Sequence, residues 1–245
     1  MQPGKPERRR LNRRTVLGFL ALFVLTPLTM LAGITLFDDR SYYLVSMLII
    51  LYTFVPFVLL FERRRPQARE LVVLAVLCAI GVIGRGIFFF LPQFKPVAAI
   101  VIVAGVCFGG ESGFLVGAIT TFVSNMMFGQ GPWTPWQMFC FGLIGFLAGV
   151  LFRRGRLPRT PIPLAVYGGV SVLVIYGGLI NPSSLLYMPN ASVTWATVLA
   201  CYASGLPFDA IHAGSTVIFL LLLSKPLVQI LERIQVKYGM LEAEL

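Results

Sequence analysis

Apolar runs recur along most of the chain, and short polar or charged stretches separate them. Most of these runs approach the roughly 20 residues that a helix needs to cross the hydrocarbon layer of a bilayer. Because a backbone in lipid must satisfy its own hydrogen bonds, the runs are predicted to be helices, which gives an all-α, polytopic membrane bundle. Eight spans are predicted, at residues 15–36, 42–61, 71–91, 97–108, 112–128, 135–152, 161–180 and 193–223.

Charged connectors divide this pattern into four parts. The stretch ERRRPQARE at residues 62–70 is the strongest internal boundary. The predicted parts are a basic cytoplasmic tail (1–14), two extra transmembrane helices (15–65), a six-helix core (66–225) and a cytoplasmic amphipathic tail (226–245). In that last tail, one helical face carries Leu227, Ile230, Leu231 and Ile234. This pattern predicts an interfacial helix, and a plain continuation of the last span fits it equally well.

Composition excludes a soluble globule, because 57% of the residues are hydrophobic and 12% are charged, against roughly 25% charged in soluble domains. The net charge of +10 would suggest a nucleic-acid partner in a soluble protein. Here the basic residues lie in short connectors, where they determine topology. If the N-terminus is cytoplasmic, Arg40 and Lys95 are the only basic residues in predicted connections that face the outside of the cell. The prediction is therefore a plasma-membrane protein with both termini cytoplasmic and no nucleic-acid partner.

Cysteine and histidine usage gives no sign of a metal centre. The four cysteines lie inside apolar runs without a CxxC pair, and the chain has one histidine. Buried cysteines pack as small hydrophobic residues. No metal and no cofactor are predicted.

Three ionisable residues lie inside predicted spans: Arg85, Asp209 and His212. A charge near the bilayer centre costs about 2.5–3.5 kcal/mol, so such residues usually face a cavity or one another. At about 1.5 Å per residue, the three lie at a similar depth in the outer half of the membrane. One interpretation is a ligand pocket open to the outside, and another is a buried Arg85–Asp209 ion pair. A catalytic Asp209–His212 pair is a third, although no recognisable nucleophile motif accompanies it.

The stretch FGQGPWTPWQM at residues 128–138 combines two glycines, two prolines and two tryptophans. Tryptophan is common at membrane interfaces, so an aromatic belt is one explanation. Aromatic rings together with amides also suit a lid over a flat polar ligand. This second explanation assigns five residues to ligand binding. Gln130, Trp133, Trp136 and Gln137 lie in the stretch itself, and Asn125 lies on the preceding span.

Ala75 and Ala79 are four residues apart on the first core span. Small residues at this spacing allow two membrane helices to approach closely. They indicate either packing inside the bundle or a docking face for another membrane subunit.

From residue 71 to the C-terminus the chain resembles the S components of energy-coupling factor (ECF) transporters. The segments that carry the resemblance are AVLCAIGVIGR (75–85), PQFKPVAAIVIVAGVCFG (92–109), the stretch 112–149 that contains GQGPWTPWQM, and DAIHAGSTVIFLLLL (209–223). The tryptophan-containing stretch is the most specific of them. Residues 1–65, with the two extra spans, lie outside the resemblance.

The resemblance implies a transport subunit rather than an enzyme. Such a subunit binds a vitamin or related micronutrient, here expected to be cobalamin-like, and docks on a transmembrane T component powered by two cytoplasmic ATPases. Ala75 and Ala79 match the family's docking surface. Two loops would close over the substrate, and their residues are Pro92, Phe94, Lys95, Gly129, Gly131 and Pro132.

The chain carries no GxxxxGK[ST] motif, so nucleotide hydrolysis is expected from a partner. Two alternatives remain at this point. One is an intramembrane enzyme that uses Asp209 and His212, and the other is a membrane scaffold that transports nothing.

Overall fold

The computed structural model describes residues 66–153, 155–186, 188, 192 and 194–239, together with the isolated residues Leu28, Leu48 and Phe61. The predicted basic tail at 1–14 and the two predicted spans at 15–36 and 42–61 lie outside the described residues, apart from those three positions.

The described part of the chain consists of six helices and contains no strand. They are α1 (Ala68–Ile87), α2 (Val97–Phe108), α3 (Gly110–Phe128), α4 (Thr134–Arg153), α5 (Pro161–Ser183) and α6 (Trp195–Lys237). Four of them, α1, α4, α5 and α6, are long and apolar enough to cross a membrane, and α2 is a shorter apolar helix. The predicted all-α membrane bundle is confirmed.

Local sequence signals start three of these helices. Pro135 and Pro161 lie in the first turns of α4 and α5, where a missing backbone N–H costs nothing and the fixed φ suits a helix. Thr194 precedes α6, and its hydroxyl accepts a hydrogen bond from the backbone N–H of Thr197. The Thr197 hydroxyl in turn accepts one from the Thr194 N–H at 2.9 Å, which completes a capping box.

The short helix α2 is the centre of the bundle. Every one of its 12 residues is buried, and α1, α3, α4 and α6 all pack against it. A helix that is apolar on all sides is stable only when it is enclosed. The uniformly apolar sequence of α2 therefore explains its position at the centre of the bundle.

Glycines allow α2, α3 and α4 to touch through their backbones. A Cβ atom added at Gly113 would lie 2.5 Å from the Gly145 carbonyl oxygen and 2.7 Å from the Gly105 Cα. Only residues without side chains permit this approach, as in other membrane helix pairs that meet at small residues.

Helix α4 begins at Thr134, one residue before the predicted span at 135–152. The connection from α3 therefore contains only residues 129–133, and the rest of the stretch at 128–138 is helical. Helix α6 continues without interruption to Lys237, with Pro207 and Pro226 inside it. The plain continuation of the last span is therefore the arrangement observed for residues 226–237.

The end of α6 packs onto the bundle. Val228 and Leu231 are buried, and the Gln235 side chain donates a hydrogen bond to the Cys107 carbonyl at 2.8 Å. Arg153 also donates to the Phe108 carbonyl. These bonds satisfy carbonyls that the C-terminus of α2 leaves without helical partners.

Candidate functional site

A polar cavity of about 110 Å³ lies where all six described helices and the α1–α2 loop meet. We call it the polar cavity. Its lining residues are Arg85, Gln93, Lys95, Val97, Thr121, Ser124, Gln137, Phe141, Tyr176 and His212.

One chain of hydrogen bonds connects four helices along the cavity wall. Arg85 at the end of α1 donates from Nη1 to Ser124 Oγ at 2.7 Å and to Asn125 Oδ1 at 2.5 Å on α3. The Asn125 amide donates to Gln137 Oε1 on α4 at 2.9 Å. The Gln137 amide donates to the Tyr176 hydroxyl on α5 at 3.1 Å. Buried polar groups need such partners, so these bonds fix the orientation of five side chains around the cavity.

The wall is completed on α6 by His212, whose side chain is 2% exposed. Its ring meets Tyr176 edge to face, with centroids 4.8 Å apart and planes at 88°. A second ring, Phe141, lies 5.7 Å from it. Nδ1 of His212 has no hydrogen-bond partner, which is an uncommon state for a buried polar atom.

The α1–α2 loop covers one side of the cavity and is anchored to α6. The rings of Phe88 and Phe94 lie 5.3 and 5.4 Å from that of Phe219. Ser215 Oγ accepts from the Lys95 backbone N–H at 3.4 Å. Gln93 in this loop has φ of 56°, a left-handed conformation that is uncommon for residues other than glycine.

Arg85 and Asp209 do not pair with each other. The hydrogen bonds of Arg85 go to α3, as above, whereas Asp209 Oδ2 accepts from the Asn181 amide at 2.7 Å. Asp209 is buried against Gly177 on α5. The predicted alternative of an Arg85–Asp209 ion pair is therefore not the arrangement that forms.

The structure brings together part of the predicted ligand-binding set. Arg85, Gln137 and His212 line the cavity, as does Lys95 of the predicted gating loop. Asn125 is fully buried and bonds to two of these side chains.

Other predicted residues lie away from the cavity. Trp136 is 1% exposed inside the bundle, whereas Trp133 is 37% exposed. Gln130 is exposed and donates to the Phe122 carbonyl at 3.4 Å. Pro92 and Gly129 are exposed, and Phe94, Gly131 and Pro132 are half-buried in the same two loops.

Sequence reasoning did not find several lining residues, notably Gln93, Thr121, Ser124 and Tyr176. Thr121 and Ser124 interrupt the apolar run of α3 close to Asn125, and that polar interruption was a usable signal. A single tyrosine in an apolar run carries no comparable signal, because aromatic residues are common in membrane helices.

A second hollow, of about 520 Å³, lies on the outside of the bundle between α1 and α3. We call it the α1–α3 groove. Ala75 and Ala79 line it, and both are exposed. The other lining residues are Phe61, Leu71, Leu74, Cys78, Val82, Ile83, Leu115, Val116, Ile119, Val123 and Met127.

A membrane bundle with a polar cavity inside and an apolar groove outside has the organisation of a ligand-binding membrane subunit. The family model described as "ECF transporter, substrate-specific component" matches residues 69–224. The chain therefore belongs to the family of substrate-specific components of ECF transporters. The match begins at the second residue of α1, includes α2 to α5, and ends at Ser224 within α6.

A curated relative is similar to half of the chain. A UPF0397 protein of Vibrio atlanticus (strain LGP32) is 29% identical over 129 residues, which is 50% of this chain and 70% of the relative. No solved structure matches the chain.

Family membership determines the general role. S components are multi-pass membrane subunits that take a small-molecule substrate and associate with a T component and ATPases. They are transport subunits and not enzymes, so the prediction that the chain is not an enzyme is confirmed by the family.

Proposed function

We propose that this S component captures its substrate in the polar cavity. The observation that carries the proposal is the hydrogen-bond chain from Arg85 through Asn125 and Gln137 to Tyr176. It holds polar side chains in fixed positions around a hollow, and preformed polar groups in a concave site are typical of small-molecule sites.

The size of the cavity supports a small substrate or a small head group. An apolar cavity of about 150 Å³ accommodates benzene, and the polar cavity has about 110 Å³. The cobalamin-like cargo predicted from the resemblance would require the cavity to open many-fold. We therefore favour a substrate group of about one ring.

We also propose that the α1–α3 groove is the surface that docks on the T component. The groove is apolar throughout, and Ala75 and Ala79 lie exposed along it. Small residues on a lipid-facing surface allow another helix to approach closely, which supports this role.

Both termini of the core are proposed to face the cytoplasm. Gln67 before α1 donates to the Gly239 carbonyl after α6 at 3.4 Å. Arg159 in the α4–α5 connection lies 3.5 Å from Glu232 near the end of α6. The start of α1, the α4–α5 connection and the end of α6 thus share one end of the bundle, with Arg69, Arg159 and Lys237 in them. Basic residues in short connections favour the cytoplasmic side.

The capture site is tested by filling the cavity. Full-length protein in mild detergent is incubated with a crude nutrient extract and washed, and the released small molecules are quantified by mass spectrometry. Wild type should retain about one equivalent, and Thr121→Leu should retain less than a tenth of that. Thr121 bonds only the Gly117 carbonyl of its own helix, at 2.8 Å, so this change adds bulk without breaking a contact between helices.

Leu206→Trp is the matched control, because Leu206 is 60% exposed on α6, and it should retain ligand as wild type does. Size-exclusion profiles verify that the variants fold. Equal retention by Thr121→Leu and wild type, or no retention by wild type, would overturn the proposal.

A further inference from the structure

We propose that the substrate carries a compact anionic group, a carboxylate or a phosphoryl, which binds between Arg85 and Lys95 and within reach of His212. The inference rests on the proposed function, because it assigns a chemical class to the molecule captured in the polar cavity.

The first argument is the imbalance of charge. Arg85 and Lys95 are among the lining residues, and no aspartate or glutamate is among the described residues that line the cavity. Asp209 is not among the lining residues, and its Oδ2 accepts a hydrogen bond from the Asn181 amide. A buried cation is costly unless it is paired, so a site with two cations favours a ligand that supplies the opposite charge.

The second argument concerns Lys95. Its backbone N–H is held by Ser215, which keeps its side chain at the cavity. Within the described residues its ammonium makes no ion pair. Burial, and after it the charge of Arg85, lower the pKa of Lys95. A bound anion would offset both effects, because an opposite charge within about 4–6 Å favours the protonated amine.

The third argument is that hydrogen-bond donors remain available. Both hydrogen bonds of Arg85 use Nη1, whereas a guanidinium carries five N–H donors. Its Nε and Nη2 hydrogens can therefore meet two oxygens of one carboxylate or phosphoryl group, the bidentate arrangement for which arginine is suited.

His212 adds an unsatisfied group to the same wall. Its Nδ1 is buried without a partner, on a ring held in place by Tyr176 and Phe141. A neutral imidazole donates from one nitrogen and accepts at the other. A ligand oxygen, or a ring atom next to the anionic group, would satisfy this nitrogen.

The experiment determines the charge of the retained molecule and its dependence on Lys95. Full-length protein is loaded from a crude nutrient extract, and the released ligand is identified by mass spectrometry. We expect an acid that is anionic at pH 7. Lys95→Met should lower the retained amount at least tenfold, Lys95→Arg should restore most of it, and Lys225→Met, at an exposed position on α6, should match wild type.

The outcomes separate this inference from the proposed function. A retained ligand that carries neither a carboxylate nor a phosphoryl group would overturn the anionic class while leaving capture intact. Equal retention of an anion by wild type and Lys95→Met would overturn the two-cation site. Failure of wild type to retain any molecule would overturn the proposed function itself. A free carboxylate and a phosphate ester are distinguished by the mass of the released acid.

Discussion

The α1–α3 groove is larger than the polar cavity, but the cavity has the more polar wall. The groove has about 520 Å³ and the cavity about 110 Å³. The groove is lined by apolar side chains throughout, whereas the cavity wall contains two cations, two glutamine side chains and an imidazole whose Nδ1 has no hydrogen-bond partner. The larger hollow therefore suits a partner helix in lipid, and the smaller one suits a ligand. Chemistry rather than volume distinguishes the two regions.

The backbone contact among α2, α3 and α4 supports both regions, so disturbing it should destabilise the whole bundle. Gly145→Ala would place a Cβ 2.6 Å from the Gly113 carbonyl carbon. Overpacking of this kind costs about 1–3 kcal/mol, which should appear as a lower thermal midpoint in detergent.

Gly214→Ala is the matched control for this change, since nothing lies within 4 Å of a Cβ at Gly214. Alanine favours a helix over glycine by about 1 kcal/mol, so this variant should be at least as stable as wild type. Equal midpoints for the two variants would mean that the glycine contact is looser than described.

Changing the groove alone should separate docking from binding. With Ala75→Trp and Ala79→Trp combined, uptake by the complete transporter should fall at least tenfold while ligand retention stays at the wild-type level. Val166→Trp, at a position 60% exposed on α5, provides a bulky lipid-facing control. If ligand retention fell together with uptake, the groove would not be a separate docking surface.

Changing the cavity alone should produce the opposite result. Tyr176→Phe removes the hydroxyl that accepts from Gln137. A net hydrogen bond of about 0.5–1.5 kcal/mol corresponds to a roughly 2- to 12-fold weaker ligand affinity, measured by equilibrium dialysis. Tyr202→Phe is the control, because that hydroxyl bonds the Gly178 carbonyl outside the cavity. A normal affinity for Tyr176→Phe would show that the hydrogen-bond chain does not preorganise the site.

The smallest effect is expected in the loop after α3. Gln130 is exposed, and its side-chain amide donates only to the Phe122 carbonyl of the preceding helix α3. Gln130→Ala should therefore change the ligand affinity less than twofold. A tenfold loss, by contrast, would mean that this loop closes over the ligand when it is bound, as the sequence pattern predicts.

Hydropathy alone was sufficient for the helical scaffold. The predicted span at 97–108 coincides with α2, because lipid leaves a long apolar run no alternative to a helix. Arg85 and His212 were identified for a related reason: an ionisable residue in such a run is costly and needs a purpose.

The identity of several side chains that line the polar cavity depends on tertiary structure. Helix α4 starts at Thr134, just before Pro135, and this start turns Trp136 into the bundle, whereas the sequence predicted both tryptophans over the ligand. Gln93 reaches the cavity through a left-handed backbone conformation that is stabilised by contacts between the loop and α6. Sequence periodicity contains no information about either arrangement.

Helix α6 runs without interruption from the polar cavity, at His212, to Lys237 at one end of the bundle. From His212 to Lys237 the helix continues for 25 residues, or roughly 38 Å of axial length at 1.5 Å per residue. A tilt of about 10° pivoting at His212 would swing the far tip sideways by about 7 Å at that length. A tilt of this kind would carry a movement at the polar cavity to the end of the bundle where Lys237 lies.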